Sequence, residues 1–214
     1  MQRLRIRFSR GEEIKFISHL DLMRCWERAI RRAQVPLAYS EGFTPHPRIS
    51  LAAPLALGVT SEAELMDINL TRWISPHWFT GGVSQQLPPA IKILGAVPVA
   101  LTLPSLQSAV RTAEYLVEVE SRQSKEEVEA KVEGLLSLAE LPWRHQRDTG
   151  ERRYDLRALV DDIWVEEWAE WGGKLGMSLR CDSAGSGRPE QVTLALGLSE
   201  YPRSIHRTKL VLAV

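Results

Sequence analysis

Between residues 19 and 48 this chain places two histidines, four arginines on one helical stretch, a phenylalanine and a further arginine. Arg24, Arg28, Arg31 and Arg32 share one side of a helical wheel, and guanidiniums so arrayed can clamp phosphates bidentately. The plainer alternative is a solvated face partly paired with Asp21 and Glu27. The loop Gly42-Phe43-Thr44-Pro45-His46-Pro47-Arg48 sets His46 between two prolines, which stiffens the backbone and presents the imidazole. There Phe43 can stack on a base and Arg48 can bind phosphate, unless the loop is structural and Phe43 sits in the core. His19 and His46, if brought together on one phosphodiester, could serve as general base and general acid and cleave RNA without a metal. His206-Arg207 form a second basic pair that could extend an anion-binding surface or be a simple surface position.

Residues 2–8 alternate, with Leu4, Ile6 and Phe8 on one face and Arg3, Arg5 and Arg7 on the other, so they predict a half-buried strand with a basic exposed face. Ser18 caps a helix to about Ala33 whose apolar arc is Leu22, Met23, Trp26, Ala29, Ile30 and Ala33. Strands follow at 48–54 and 62–71, a helix from Ser75-Pro76 to about Gln86, and a strand at 91–99. The order β-α-β-β-α-β predicts a ferredoxin-like module over residues 1–100.

After a connector at 100–111 the order recurs over residues 112–214: a strand at 113–120, a helix capped by Ser124 with Glu127, strands at 153–160 and 175–181, a helix from Arg188-Pro189, and a strand at 208–214. The expected class is therefore α+β, two tandem ferredoxin-like modules with antiparallel sheets. In the segment 161–173, Trp164, Trp168 and Trp171 fall at helical spacing with acids between them. It reads as a short helix or an insertion. The acids favour a core-facing stripe over a base-stacking platform.

Formal net charge is zero, yet residues 1–50 hold ten Lys/Arg against five Asp/Glu and residues 101–150 hold six against nine. The first module is basic and the remainder offsets it. Cys25 and Cys181 stand far apart with no metal-ligand spacing, so neither a metal nor a cofactor is expected. The start lacks the apolar core of a signal peptide, and no run reaches the roughly 18 apolar residues of a membrane helix, which predicts a cytoplasmic location. P-loop, Rossmann and HExxH signatures are absent from the sequence.

The residues Phe16-Ile17-Ser18-His19-Leu20-Asp21, Arg24, Arg28, Arg31-Arg32-Ala33, Ala38-Tyr39-Ser40, Gly42 to Ile49, Pro54-Leu55, Gly58, Ser61, Glu64, Asp67 and Ile68 form one long pattern over about residues 14–70. With the ending Ile205-His206-Arg207-Thr208, it resembles a bacterial family of unknown function linked to radical-SAM enzymes. The resemblance implies a role in RNA modification or processing, because family members stand alone or are joined to a radical-SAM half with a cobalamin-binding region, often encoded near ribonuclease and ribosomal-protein genes. This chain lacks the three-cysteine motif of that half, so any radical-SAM chemistry it serves belongs to another polypeptide.

The expectation is an RNA-binding accessory module, more a partner of a radical-SAM enzyme than an enzyme, gripping tRNA or rRNA through Arg24, Arg28, Arg31, Phe43, His46 and Arg48, with His206 and Arg207 in support. Two rivals remain: a metal-independent ribonuclease using His19 and His46, and a protein–protein adaptor for a radical-SAM enzyme that docks through the tryptophan segment.

Overall fold

The computed structural model describes residues 1–147, 150–182, 184–198 and 201–213, and the side chains of residues 146 and 147 stand outside that description. The chain divides into two compact units, Met1–Val110 with the residues from Leu212 onward, and Arg111–Val211. Both are α+β, with antiparallel strand pairing.

In the first unit the elements are β1 (Gln2–Arg10), α1 (His19–Arg32), β2 (Ile49–Leu51), β3 (Thr60–Leu70), α2 (Pro76–Ser84), β4 (Ile91–Val99) and the single turn α3 (Leu106–Ala109). β1 lies between β4 and β3, and β2 pairs with β3, so the strand order reads β4-β1-β3-β2. Period-two alternation sends Leu4, Ile6 and Phe8 of β1 to the side where Leu22, Trp26 and Ile30 of α1 and Phe79 and Val83 of α2 are buried. Phe8 and Trp26 meet edge to face, 4.9 Å between centroids. Each such side chain contributes about 1.5–3 kcal/mol on burial. Ser18 caps α1 by accepting from the Asp21 N–H. At the other end Gln34 turns into the left-handed region (φ 55°) and Pro36 follows.

The second unit contains β5 (Val110–Glu120), α4 (Lys125–Ser137), β6 (Pro142–Arg147), β7 (Gly150–Asp155), β8 (Val160–Ala169), β9 (Gly172–Arg180), α5 (Pro189–Ala195) and β10 (Ser204–Leu212). Its sheet runs β10-β5-β9-β8, and β6 and β7 form a separate two-stranded ribbon. Ser124 and Glu127 close the expected capping box on α4. Val128, Val132 and Leu135 of α4 and Val192 and Leu196 near α5 are buried, as are Val117 and Val119 of β5 and Leu175, Met177 and Leu179 of β9.

Four expectations for this unit need correction. The segment 161–173 is neither helix nor insertion: it is most of β8, the turn after it and the first residues of β9. Its tryptophans are not a core stripe, for Trp164 and Trp171 are exposed. Bulges between Val160 and Asp162 and between Val165 and Glu167 change the phase of the strand. Trp164 therefore lies against Gly176, where an added Cβ would fall inside the indole, while Trp168 donates its indole N–H to the Gln123 carbonyl at 2.9 Å. The strand expected at 153–160 is in fact the end of β7, a 3-10 turn at Arg157–Leu159 and the start of β8. The final strand begins earlier than expected, at Ser204, and Val214 lies outside the described residues.

Candidate nucleic-acid interface

Helical spacing brings Arg24, Arg28 and Arg32 to the flank of α1 that faces the chain leaving α2. With Asp21, Cys25 and Ala29 on one side and Gln86, Leu87 and Pro88 on the other, they line an open groove of about 530 Å3. Arg28 and Arg32 have no carboxylate within ion-pairing distance among the described residues, while Arg24 holds Asp21 at 3.3 Å on the surface. Arg31, expected in the same site, turns outward to Glu27 at 2.7 Å and does not line the groove. Arg32 takes its place.

Two titrating groups sense this surface. The Asp21 carboxyl lies below the usual aspartate range, because the Ser18 hydroxyl donates to it at 2.7 Å and Arg24 and Arg28 add favourable charge. Burial pushes the Cys25 thiol up, against the pull of Arg28 and Arg32 toward the thiolate.

The proline-braced loop is closed by its own backbone. The Ser40 N–H donates to the His46 carbonyl at 2.8 Å, the His46 N–H to Ser40 Oγ at 2.9 Å, and the Arg48 N–H to the Ala38 carbonyl at 2.9 Å. Gly42 adopts φ 122°, which a side chain would strain, and Phe43 next to it is wholly exposed rather than in the core. His46 and Arg48 are exposed too.

The two histidines are not brought together. The Asn69 N–H donates to the Arg48 carbonyl, so the His46 loop leaves the sheet at the Asn69 end of β3. The Arg10 guanidinium donates to the carbonyls of Ile14 and Ile17, and Arg10 pairs with Ser61, so α1 and His19 begin at the Ser61 end. Ser61 and Asn69 are separated by roughly 26 Å of strand at about 3.3 Å per residue. A shared phosphodiester does not bridge that span, and the paired-histidine ribonuclease loses its geometric basis.

The other basic residues also part company. On β1, Arg3 and Arg5 lie on the face opposite α1 and pair with Asp67, at 3.2 Å and 2.8 Å. Arg3 further donates to the carbonyls of Leu103 and Pro104, and only Arg7 of the three is exposed. The expected basic exposed face is therefore largely neutralised. Arg207 is completely buried, which overturns its expected place on an anion-binding surface, and His206 is half-buried.

Sequence reasoning missed the β6–β7 ribbon. The signal available was the Asp-Thr-Gly between PWRHQR and ERRYD, a turn composition that favours a hairpin. Among the described residues no group of three or more His, Cys, Asp or Glu could hold a metal ion, and no helix is long and apolar enough to cross a membrane.

A known structure shares the fold. A chain in the crystal structure of a Cbf5-Nop10-Gar1 complex superposes with a TM-score of 0.53 at 10% identity, covering 97% of this chain and 48% of that one. A chain in the structure of an H/ACA RNP bound to a substrate RNA containing 2'-deoxyuridine gives a TM-score of 0.49 at 13% identity, covering 97% and 47%. This chain thus spans about half the length of those it matches, and at 10% identity the likeness to the first concerns the fold alone. No curated protein matches the sequence. The model of a bacterial family matches residues 3–189, nearly the whole pattern from β1 to the start of α5, and the chain belongs to that family, described as an uncharacterized protein conserved in bacteria (DUF2344).

Proposed function

We propose that this protein is an RNA-binding accessory module for radical-SAM-dependent RNA modification or RNA processing, without catalysis of its own, and that it acts in the cytoplasm. The observation that carries the reading is the groove on α1, where Arg24, Arg28 and Arg32 converge and two of the three guanidiniums have no carboxylate partner among the described residues. The planar guanidinium fork meets two phosphate oxygens at once, so less side-chain freedom is lost per hydrogen bond formed. Phe43, His46 and Arg48 on the braced loop are exposed and supply a second contact of the same chemistry. The resemblance at Phe16–Asp21 and Gly42–Ile49 supports the link to radical-SAM enzymes. In the same reading residues 1–100 and 112–214 are ferredoxin-like modules, supported by the orders β4-β1-β3-β2 and β10-β5-β9-β8.

Titrating labelled tRNA and rRNA fragments at about 50 mM and about 200 mM salt tests the reading, since phosphate contacts make affinity fall steeply over that range. The variant Arg24→Ala/Arg28→Ala/Arg32→Ala should lose most of the affinity, its salt slope falling by about one per contact removed. Unchanged affinity in that variant refutes the groove as the site.

A second reading draws on Trp164 and Trp171, which β8 and its turn leave exposed. Large exposed aromatics suit an adaptor that docks on a radical-SAM protein. Co-purification of such a protein after ribonuclease treatment, lost in Trp164→Ala/Trp171→Ala, would favour it.

A further inference from the structure

The ribbon β6–β7 does not join the sheet of its unit. A two-stranded hairpin is marginal in water by itself, so this one needs anchors. They lie at its base. The Tyr154 hydroxyl donates to Gln191 Oε1 at 2.5 Å, and Gln191 on α5 is buried. Asp155 accepts the N–H groups of Leu141 and Arg157, and the Leu156 N–H donates to the Leu141 carbonyl. Beyond these ties Arg144, Arg152 and Arg153 are exposed.

The register puts Trp143 opposite Tyr154, Arg144 opposite Arg153 and His145 opposite Arg152. Paired residues share a face of a ribbon and successive pairs alternate faces, so Trp143, Tyr154, His145 and Arg152 belong to one face and Arg144 and Arg153 to the other. The Arg152 guanidinium stands 5.6 Å over the Tyr154 ring. Glu151 fixes Arg153 at 2.6 Å, whereas Arg144 and Arg152 have no carboxylate within ion-pairing distance among the described residues. Trp143, Arg144, Arg153 and Tyr154, with Pro142 and the acids Glu140 and Asp155, line an open groove of about 450 Å3, inside the range of about 300–1,000 Å3 that holds small ligands.

We propose that this hairpin is a second RNA-contacting arm, which lays one base of single-stranded RNA against Trp143 and Tyr154 and holds the neighbouring phosphates with Arg152 on the same face and with Arg144 and Arg153 across the edge of the ribbon. The proposal rests on the RNA-binding reading but on none of its residues. Aromatic faces accept any base, and cations between them follow the backbone. A duplex is the poorer guest, because the narrow major groove of A-form RNA excludes side chains from its base edges.

The test uses the full chain with fluorescent oligouridine and an RNA duplex of equal length. The exposed triple variant Arg144→Ala/Arg152→Ala/Arg153→Ala should bind oligouridine at least about ten-fold more weakly, with a smaller change for the duplex. Photocrosslinking of 4-thiouridine RNA to the wild-type chain should mark Trp143 or Tyr154, and should still do so when Arg24, Arg28 and Arg32 are alanine. Wild-type affinity in the hairpin variant, or crosslinks confined to α1 and the His46 loop, would overturn the arm and leave the RNA-binding reading standing. An equal loss for duplex and single strand would overturn the single-strand assignment. Absence of RNA binding by the wild-type chain would overturn both.

Discussion

Arg5 grips Asp67 at two points, Nε to Oδ1 at 2.8 Å and Nη2 to Oδ2 at 3.0 Å, on the face of the first sheet turned away from α1. Arg3 adds a second guanidinium at 3.2 Å, and the Asp67 side chain is only 4% exposed. One carboxylate therefore holds two strand arginines that the sequence offered as a free basic face.

Removing that carboxylate leaves two cations close together with little water. Asp67→Asn keeps the shape and deletes the charge, and should lower the unfolding free energy by about 3 kcal/mol. Urea denaturation monitored by the Trp26 environment measures it. A change well under about 1 kcal/mol would mean the cluster behaves as an ordinary surface pair.

The start of α1 should respond to acid. Asp21 is held below its ordinary range by the Ser18 hydroxyl first and by Arg24 and Arg28 after it. A depressed carboxylate contributes stability that is present above the unfolded-state pKa and is lost as pH falls through the folded-state value. Ser18→Ala should raise the Asp21 pKa toward that of a free aspartate, and losing the cap should cost about 1 kcal/mol at neutral pH. A carboxyl-carbon NMR titration of Asp21 in both proteins reads the shift.

Cys25 reports on the groove from inside. Burial raises its pKa while Arg28 and Arg32 oppose the rise. Deleting one opposing cation removes support for the thiolate, so Arg28→Ala should move the pH midpoint of iodoacetamide alkylation further up. Bound RNA should slow alkylation in the wild type at every pH. A midpoint that moves down, or a rate indifferent to RNA, would place the thiol outside the groove's field.

The elements with uninterrupted periodicity were legible in the chain. β1 alternates without a break from Arg3 to Phe8, and α1 begins at its serine cap with Leu22, Trp26, Ala29 and Ile30 on the buried arc. α2 and β4 lie close to where Ser75-Pro76 and Ile91–Val99 put them. β8 was not legible, because two bulges shift its alternation and leave Trp164, Trp168 and Trp171 at a spacing that mimics a helix. The β6–β7 ribbon carries no hydrophobic alternation of its own, so a reading guided by buried faces passed over it.

At the candidate site, sequence by itself determined which side chains can bind an anion and that Arg24, Arg28, Arg31 and Arg32 share one side of a helix, since those follow from composition and a fixed helical period. Which of the cations are available was decided only by tertiary structure. Asp67 is distant from Arg3 and Arg5 in the chain but opposite Arg5 in the register of β1 with β3. Arg207 is buried although its neighbours in sequence are polar. His19 and His46, less than thirty residues apart, sit at opposite ends of one strand. Local sequence sets what a side chain can do, and long-range pairing sets what it faces. The electrostatic free energy of a cation depends on its partner and its water, and neither is encoded in its immediate neighbours.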